Sequence, residues 1–77
     1  MSVTVYSTNT CPWCNVVKNY LREKNVSFVD KNVSSDRSAA QEMISKSGQR
    51  GVPVIDMNGK IIVGFNQAEI DRQLSVK

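Results

Sequence analysis

The two cysteines, Cys11 and Cys14, are the residues whose type and spacing most directly suggest chemistry. At this spacing two thiols can form a disulfide without unfolding a helix that carries one of them. Pro12 suits the first position of a helix, where its missing N–H leaves no hydrogen bond unmade. The free N–H groups and positive dipole end of a first helical turn favour a thiolate at Cys11. Because a thiolate is the nucleophile in thiol–disulfide exchange, we predict that Cys11 attacks the substrate and that Cys14 resolves the mixed disulfide.

Other interpretations of the cysteine pair stay open. Structural zinc takes four ligands, whereas the sequence offers two cysteines and no histidine, so a zinc site would have to be shared across a dimer. The pair could also be inert, or the domain could be a docking or metal-sharing module without enzymatic activity. A purely structural disulfide is disfavoured, because closing so short a loop stabilises a fold little. Redox exchange is preferred, because the pair follows a predicted strand and opens a predicted helix.

Length and composition indicate one small globular domain over residues 1–77. Hydrophobic residues make up 40% and charged residues 22%, which excludes the composition of a disordered chain. No apolar run approaches the roughly 20 residues that cross a bilayer, and the first residues lack the features of a signal peptide. We therefore expect a cytoplasmic protein. The formal charge of +3 is spread along the chain, so no nucleic-acid or membrane partner is expected.

The first half of the chain predicts a strand, a helix and a second strand. Residues 3–7 alternate apolar and polar side chains and are rich in β-branched residues, which predicts a strand. A helix is predicted from Pro12 to about Lys24. Its apolar residues that fall on one face are Val16, Val17, Tyr20 and Leu21. Residues 26–33, with Phe28 and Val29, predict the second strand.

A second helix is predicted after this strand, capped by Ser34 or Ser35 and with Asp36 in its first turn. Gly48 is expected to end the helix. The residues expected on its buried face are Ala40, Met43 and Ile44.

The last third of the chain predicts a hairpin and a final helix. Two apolar runs, 52–57 and 60–63, flank Asn58-Gly59, a dipeptide typical of a tight β-hairpin. Asn66 with Glu69 resembles a capping box that opens the final helix, whose inward residues are Ile70 and Leu74. The predicted order is therefore β-α-β-α-β-β-α. This order indicates an α/β fold in which a four-stranded mixed sheet is flanked by three helices.

Three motifs resemble the glutaredoxin family, a branch of the thioredoxin-like superfamily, and the resemblance covers nearly the whole chain. It is strongest to the short bacterial glutaredoxin-like proteins. The first two motifs together are highly specific, and the third is weaker. The motifs are the residues 6–14 ending in Cys11-Pro12-Trp13-Cys14, the residues 48–55 containing Val52-Pro53, and Gly64-Phe65-Asn66-Gln67.

The resemblance implies a thioredoxin-like fold, a cis peptide bond between Val52 and Pro53, and a groove beside the active cysteine. In the family, the backbone at the position of Val52 pairs with an extended substrate such as the cysteinyl part of glutathione. Gln49 and Arg50 match positions that line this groove. Arg50 would either attract a carboxylate of glutathione or be a solvated loop charge. Trp13 stands where the family usually has tyrosine, beside the groove.

The third motif departs from the family, which usually has an aspartate there to hold the amino end of glutathione. Asn66 and Gln67 can form hydrogen bonds but cannot neutralise an ammonium group. Gly64-Phe65 also resembles the glutaredoxin-like hydrogen donors of ribonucleotide reductase, which thioredoxin reductase recycles. Either glutathione or thioredoxin reductase is thus the expected electron donor, and disulfide-containing proteins are the expected substrates. We expect a monomeric thiol–disulfide oxidoreductase with no bound metal or organic cofactor and no iron–sulfur cluster.

Overall fold

Four strands form one mixed sheet in a computed structural model of the protein, which describes residues 2–75. The strand order is β2-β1-β3-β4, with β1 parallel to β2 and antiparallel to β3, and β3 antiparallel to β4. The predicted element order and mixed sheet are therefore confirmed. The elements are β1 (Val3–Ser7), α1 (Pro12–Glu23), β2 (Val29–Asn32), α2 (Arg37–Ser47), β3 (Val54–Met57), β4 (Lys60–Val63) and α3 (Gln67–Ser75).

The sheet buries apolar side chains on both of its faces. Because side chains alternate along a strand, β1 sends Val5 to one face and Tyr6 to the other. The first face packs against α1 and α3, and the second against α2 through Met43. The buried residues of the α1/α3 face are Val3, Val5, Val17, Leu21, Ile55, Met57, Ile62 and Ile70.

Helix α1 begins at Pro12 as predicted and ends at Glu23, one residue before the expected end. Val17 and Leu21 are fully buried and Tyr20 is half-buried, but Val16 is 39% exposed and lies outside the core. The prediction therefore placed one residue too many, Val16, on the buried face of α1.

Strand β2 starts later than predicted. The chain leaves α1 through Asn25, which has a φ of 59°, and the Val26 N–H donates to the Leu21 carbonyl at 2.9 Å. This hydrogen bond holds Val26 in the helix-exit turn, so pairing with β1 begins only at Val29. Phe28 is half-buried and packs against the α1/α3 core before the strand begins.

The cap of α2 is Asp36, and the prediction of Ser34 or Ser35 was wrong. The Asp36 carboxylate accepts the Ala39 N–H at 3.1 Å, as an N-cap residue does. Ser34 instead bonds back to the end of β2, with its N–H and hydroxyl both donating to the side chain of Asn32. The helix consequently buries Ala39 together with the predicted Met43, while Ala40 is half-buried and Ile44 is exposed. Gly48 ends the helix as predicted, with a φ of 74°.

The hairpin forms as predicted between β3 and β4. Asn58 and Gly59 have φ values of 54° and 97°, the left-handed conformation that a tight hairpin turn requires. Strand β3 starts at Val54 and not at Val52, where the chain bends; the Val52–Pro53 peptide bond is cis, as the resemblance implies.

Helix α3 is capped by Asn66, whose side chain accepts the Glu69 N–H at 3.1 Å. In a capping box the Glu69 side chain would reach back to the Asn66 N–H. Here the Glu69 carboxylate lies instead 3.8 Å from Lys60 and 3.4 Å from Arg72. Ile70 is buried as predicted, and Leu74 is half-buried against the same core. Within residues 2–75, no helix is long and apolar enough to cross a membrane.

Candidate active site

Cys11 and Cys14 lie at the N-terminus of α1 and are joined by a disulfide, with their Cα atoms 5.2 Å apart. Cys11 is the N-cap residue, and its sulfur accepts the Cys14 N–H at 3.1 Å. A backbone N–H and the positive end of the helix dipole therefore both act on the sulfur that would carry a negative charge in the reduced protein. Cys11 is partly exposed, whereas Cys14 is fully buried. The arrangement leaves Cys11 as the sulfur that an external disulfide can reach.

The loop that leads from β1 to Cys11 is fixed to the end of β2. Asn32 donates through its side chain to the Asn9 side-chain oxygen at 2.5 Å, and the Val33 N–H donates to the Ser7 carbonyl at 2.9 Å. The Asn32 side-chain oxygen is occupied by Ser34. Sequence reasoning missed Asn9 and Asn32, although asparagine in a loop commonly bonds to nearby backbone or side chains.

A hydrogen-bonded trio joins three elements next to the site. Ser7, which is buried at the end of β1, donates to Asp30 of β2 at 2.6 Å, and Lys18 of α1 donates to the other carboxylate oxygen at 2.9 Å. Burial by itself would raise the pKa of Asp30. The hydrogen bonds from Ser7 and Lys18 and the positive charge of Lys18 together outweigh burial, so the pKa lies below its ordinary value of 3.8.

This trio predicts a pH-dependent contribution to stability. Because the folded pKa of Asp30 is depressed, its contribution is present above the ordinary value of 3.8 and is lost as the pH falls through the lower folded value. Asp30→Asn is therefore expected to lower the unfolding free energy at neutral pH by about 1 kcal/mol, a small amount because the pair is partly exposed. Urea unfolding of both proteins at neutral and strongly acidic pH measures this difference, which should shrink in acid. A difference that stays constant with pH would contradict the ion pair.

A groove of about 240 Å³ lies beside the cysteines, between the N-terminal end of α1, the loop before β3 and the loop after β4. The Trp13 ring is 60% exposed and stacks on Phe65, with ring centres 6.2 Å apart and planes at 21°. The Gly64 N–H donates to the Pro53 carbonyl at 2.8 Å, which ties the two loops together. Five of the predicted groove residues line this cavity: Trp13, Val52, Pro53, Gly64 and Phe65.

The other four predicted groove residues are not among those that line it. The Gln49 amide is engaged with Gly51, donating to its carbonyl at 2.9 Å and accepting its N–H at 2.5 Å. The Asn66 side chain caps α3. Arg50 and Gln67 are exposed. The residues that line the groove therefore supply apolar side chains and backbone. The side chains of Gln49 and Asn66, which were predicted to contact a ligand, instead form hydrogen bonds within the protein.

The chain is similar to several known proteins over most of its length. The family model described as Glutaredoxin matches residues 3–62. A Clostridium pasteurianum protein, named an uncharacterized glutaredoxin-like protein in the rubredoxin operon, is 57% identical over 91% of this chain and 93% of its own length. Glutaredoxin 3 of Escherichia coli is 35% identical over 82% of this chain and 76% of its own length. The glutaredoxin-like protein NrdH of Lactococcus lactis is 34% identical over 88% of this chain and 93% of its own length.

The fold is also similar to solved structures. NrdH-redoxin from Escherichia coli superposes with a TM-score of 0.84 at 28% identity, over 94% of this chain and 93% of that one. That protein is described as glutaredoxin-like with a thioredoxin-like activity profile.

Proposed function

The chain belongs to the glutaredoxin family, and we propose that it is a thiol–disulfide oxidoreductase that reduces protein disulfides through Cys11 and Cys14. The observation that carries this proposal is the placement of the two sulfurs. Cys11 is accessible at a helix N-terminus, and the buried Cys14 is already within bonding distance of it. The adjacent groove between Trp13 and Val52-Pro53 offers a place for the substrate chain next to its disulfide.

The exchange has two balanced steps. The Cys11 thiolate attacks one sulfur of the substrate disulfide, so that a mixed disulfide forms and the second substrate sulfur leaves as a thiolate and takes up a proton. The Cys14 thiol then loses its proton and attacks the Cys11 sulfur. The Cys11–Cys14 disulfide forms and the first substrate sulfur is released as a thiol. Two electrons and two protons pass from the dithiol to the substrate, and no bound cofactor is required.

The contacts around the groove favour a protein reductase over glutathione as the electron donor. Gln49, which the resemblance placed in the glutathione groove, already satisfies both ends of its amide on Gly51. The Asn66 side-chain oxygen is likewise occupied, because it accepts the Glu69 N–H and caps α3. The similarity to NrdH-redoxin, with its thioredoxin-like activity profile, supports the same choice. Glutathione remains the second candidate, since Arg50 and Gln67 are exposed beyond the groove.

Parallel turnover assays test both parts of this proposal. A protein disulfide is offered as substrate, with either NADPH and thioredoxin reductase or glutathione, NADPH and glutathione reductase as the donor system. We expect turnover with the first system and much slower turnover with the second. Fast turnover with glutathione alone would overturn the choice of donor. A protein that forms no reversible internal disulfide on titration with one equivalent of oxidant would overturn the oxidoreductase proposal itself.

Gln67→Asp should improve the use of glutathione. The substitution adds the negative charge that the family usually places near this position, and an acidic residue suits the first turn of α3. A charge-assisted hydrogen bond contributes about 0.5–2 kcal/mol more than a neutral one, so the half-saturation constant for glutathione should fall by a factor of about 2 to 30. Steady-state rates with a glutathionylated substrate, at varied glutathione concentration, measure this half-saturation constant.

A matched control is Gln41→Asp, which makes the same charge change at an exposed position of α2. This variant should leave the half-saturation constant unchanged. Equal values for Gln67→Asp and the parent protein would mean that position 67 does not reach glutathione.

A further inference from the structure

A chain of side-chain contacts runs from the groove to α3. Phe65 stacks on Trp13, and its ring also meets Tyr20 edge-to-face, with centres 5.5 Å apart and planes at 72°. The Tyr20 hydroxyl donates a hydrogen bond to the Asp71 carboxylate. Trp13 and Tyr20 are on α1, Phe65 is in the loop between β4 and α3, and Asp71 is on α3. The Phe65 and Tyr20 rings therefore link three separate segments: α1, the loop after β4, and α3.

Phe65 lines the groove and packs both against the Tyr20 ring and against the α1/α3 core. Trp13, its partner on the groove side, is 60% exposed and contributes little fixed packing. Phe65 also lines a shallow depression on the outer face of α1 together with Tyr20. Tyr20 thus directly contacts the residue that forms the groove wall.

We propose that Tyr20 and Asp71 are positioning residues that hold Phe65, and through it Trp13, as the outer wall of the substrate groove. The proposal rests on the proposed function, because it assigns the groove to the substrate chain. Neither residue contacts the reacting sulfurs. They act by fixing the wall before the substrate arrives, so that binding does not have to order it.

The hydroxyl–carboxylate bond is suited to this task. A hydrogen bond to an ionised acceptor is stronger than one between neutral groups. The bond to Asp71 and burial together raise the pKa of Tyr20 above its ordinary value of 10.0, against a smaller opposing effect from the Gln67 amide. The hydroxyl therefore stays protonated and remains a donor at neutral pH.

Tyr20→Phe tests the proposal, because it keeps the ring against Phe65 and removes only the hydroxyl. KM for the protein disulfide should rise about three- to tenfold, as expected from losing one hydrogen bond. Because Cys11 is untouched, kcat and the alkylation rate of its thiol should not change. Trp13 is the single tryptophan of the sequence, so its fluorescence reports the wall directly. In the reduced protein, acrylamide should quench Trp13 more efficiently in this variant.

Two variants of Asp71 and one of Tyr6 complete the test. Asp71→Ala should reproduce the effects of Tyr20→Phe, whereas Asp71→Asn should retain near-normal KM because its amide oxygen still accepts the hydroxyl. Tyr6→Phe is the matched control: Tyr6 also donates to a carboxylate, that of Glu42, but on the α2 face of the sheet. It should lower the melting temperature without changing KM or Trp13 quenching.

The proposal is overturned if Tyr20→Phe and Asp71→Ala lower the melting temperature but keep normal KM and normal Trp13 quenching well below it. That outcome would make the contact merely structural. Failure of the proposed function is a different result, namely a parent protein that does not turn over a disulfide with either donor system.

Discussion

Cys11→Ser is expected to abolish turnover of a disulfide substrate, and Cys14→Ser is expected to trap the mixed disulfide on Cys11. The difference follows from exposure and position. Cys11 is the partly exposed N-cap residue, and its sulfur accepts a hydrogen bond from the Cys14 N–H. Cys14 is fully buried and is bonded to the Cys11 sulfur. Without Cys11 no thiolate can attack, and without Cys14 nothing displaces the bound substrate. Mass spectrometry of each variant after incubation with glutathione disulfide measures the trapped adduct.

The double variant, with both cysteines replaced by serine, is the blank for this measurement. The alkylation rate of the Cys14→Ser protein at neutral pH supplies an independent check. It should exceed the rate of free cysteine, because the helix N-terminus favours the thiolate. An adduct on Cys14 in the Cys11→Ser protein, with none in Cys14→Ser, would reverse the two roles.

The parts of the fold that could be predicted from sequence are those that local backbone chemistry determines. Pro12 starts α1, Gly48 ends α2, and Asn58-Gly59 forms the hairpin turn, because each residue type suits a particular backbone conformation. These signals do not depend on which segments later pack together. The same locality explains why the element order was predicted correctly.

The wrong boundaries arise where one local interaction competes with another. Ser34 is a good helix cap by type, but it bonds back to Asn32 in the turn after β2, and Asp36 caps the helix. Val26 is a good strand residue by type, but its N–H completes the turn after α1. A sequence shows that each residue is capable of a role without showing which available partner it will have.

The site was predictable to a similar extent. Residue type and spacing singled out the two cysteines, and the motif resemblance named the five residues that line the groove. It could not show that Gln49 bonds to Gly51, since this contact depends on loop conformation, and it placed Asn66 in the groove although the capping pattern had already assigned its side chain to Glu69. The Tyr20–Asp71 contact joins residues 51 positions apart and follows no local pattern, so only the folded structure reveals it.

Two adjacent valines of α1 should respond very differently to the same substitution. Val17 is fully buried, whereas Val16 is 39% exposed. Val17→Ala removes two methyl groups from the core, each worth about 0.8 kcal/mol, and leaves a cavity, so the unfolding free energy should fall by about 2–3 kcal/mol. Val16→Ala removes little buried surface and places the best helix former in α1, so stability should stay unchanged or rise slightly.

Urea unfolding followed by circular dichroism measures both variants, and each serves as the control for the other because helix and substitution are matched. A loss of about 2–3 kcal/mol is a large fraction of the stability of so small a domain. Equal losses for the two variants would contradict the placement of Val16 on the surface. A loss for Val16→Ala that depends on protein concentration would mean that a second copy covers this face of α1, and the expectation of a monomer would then be wrong.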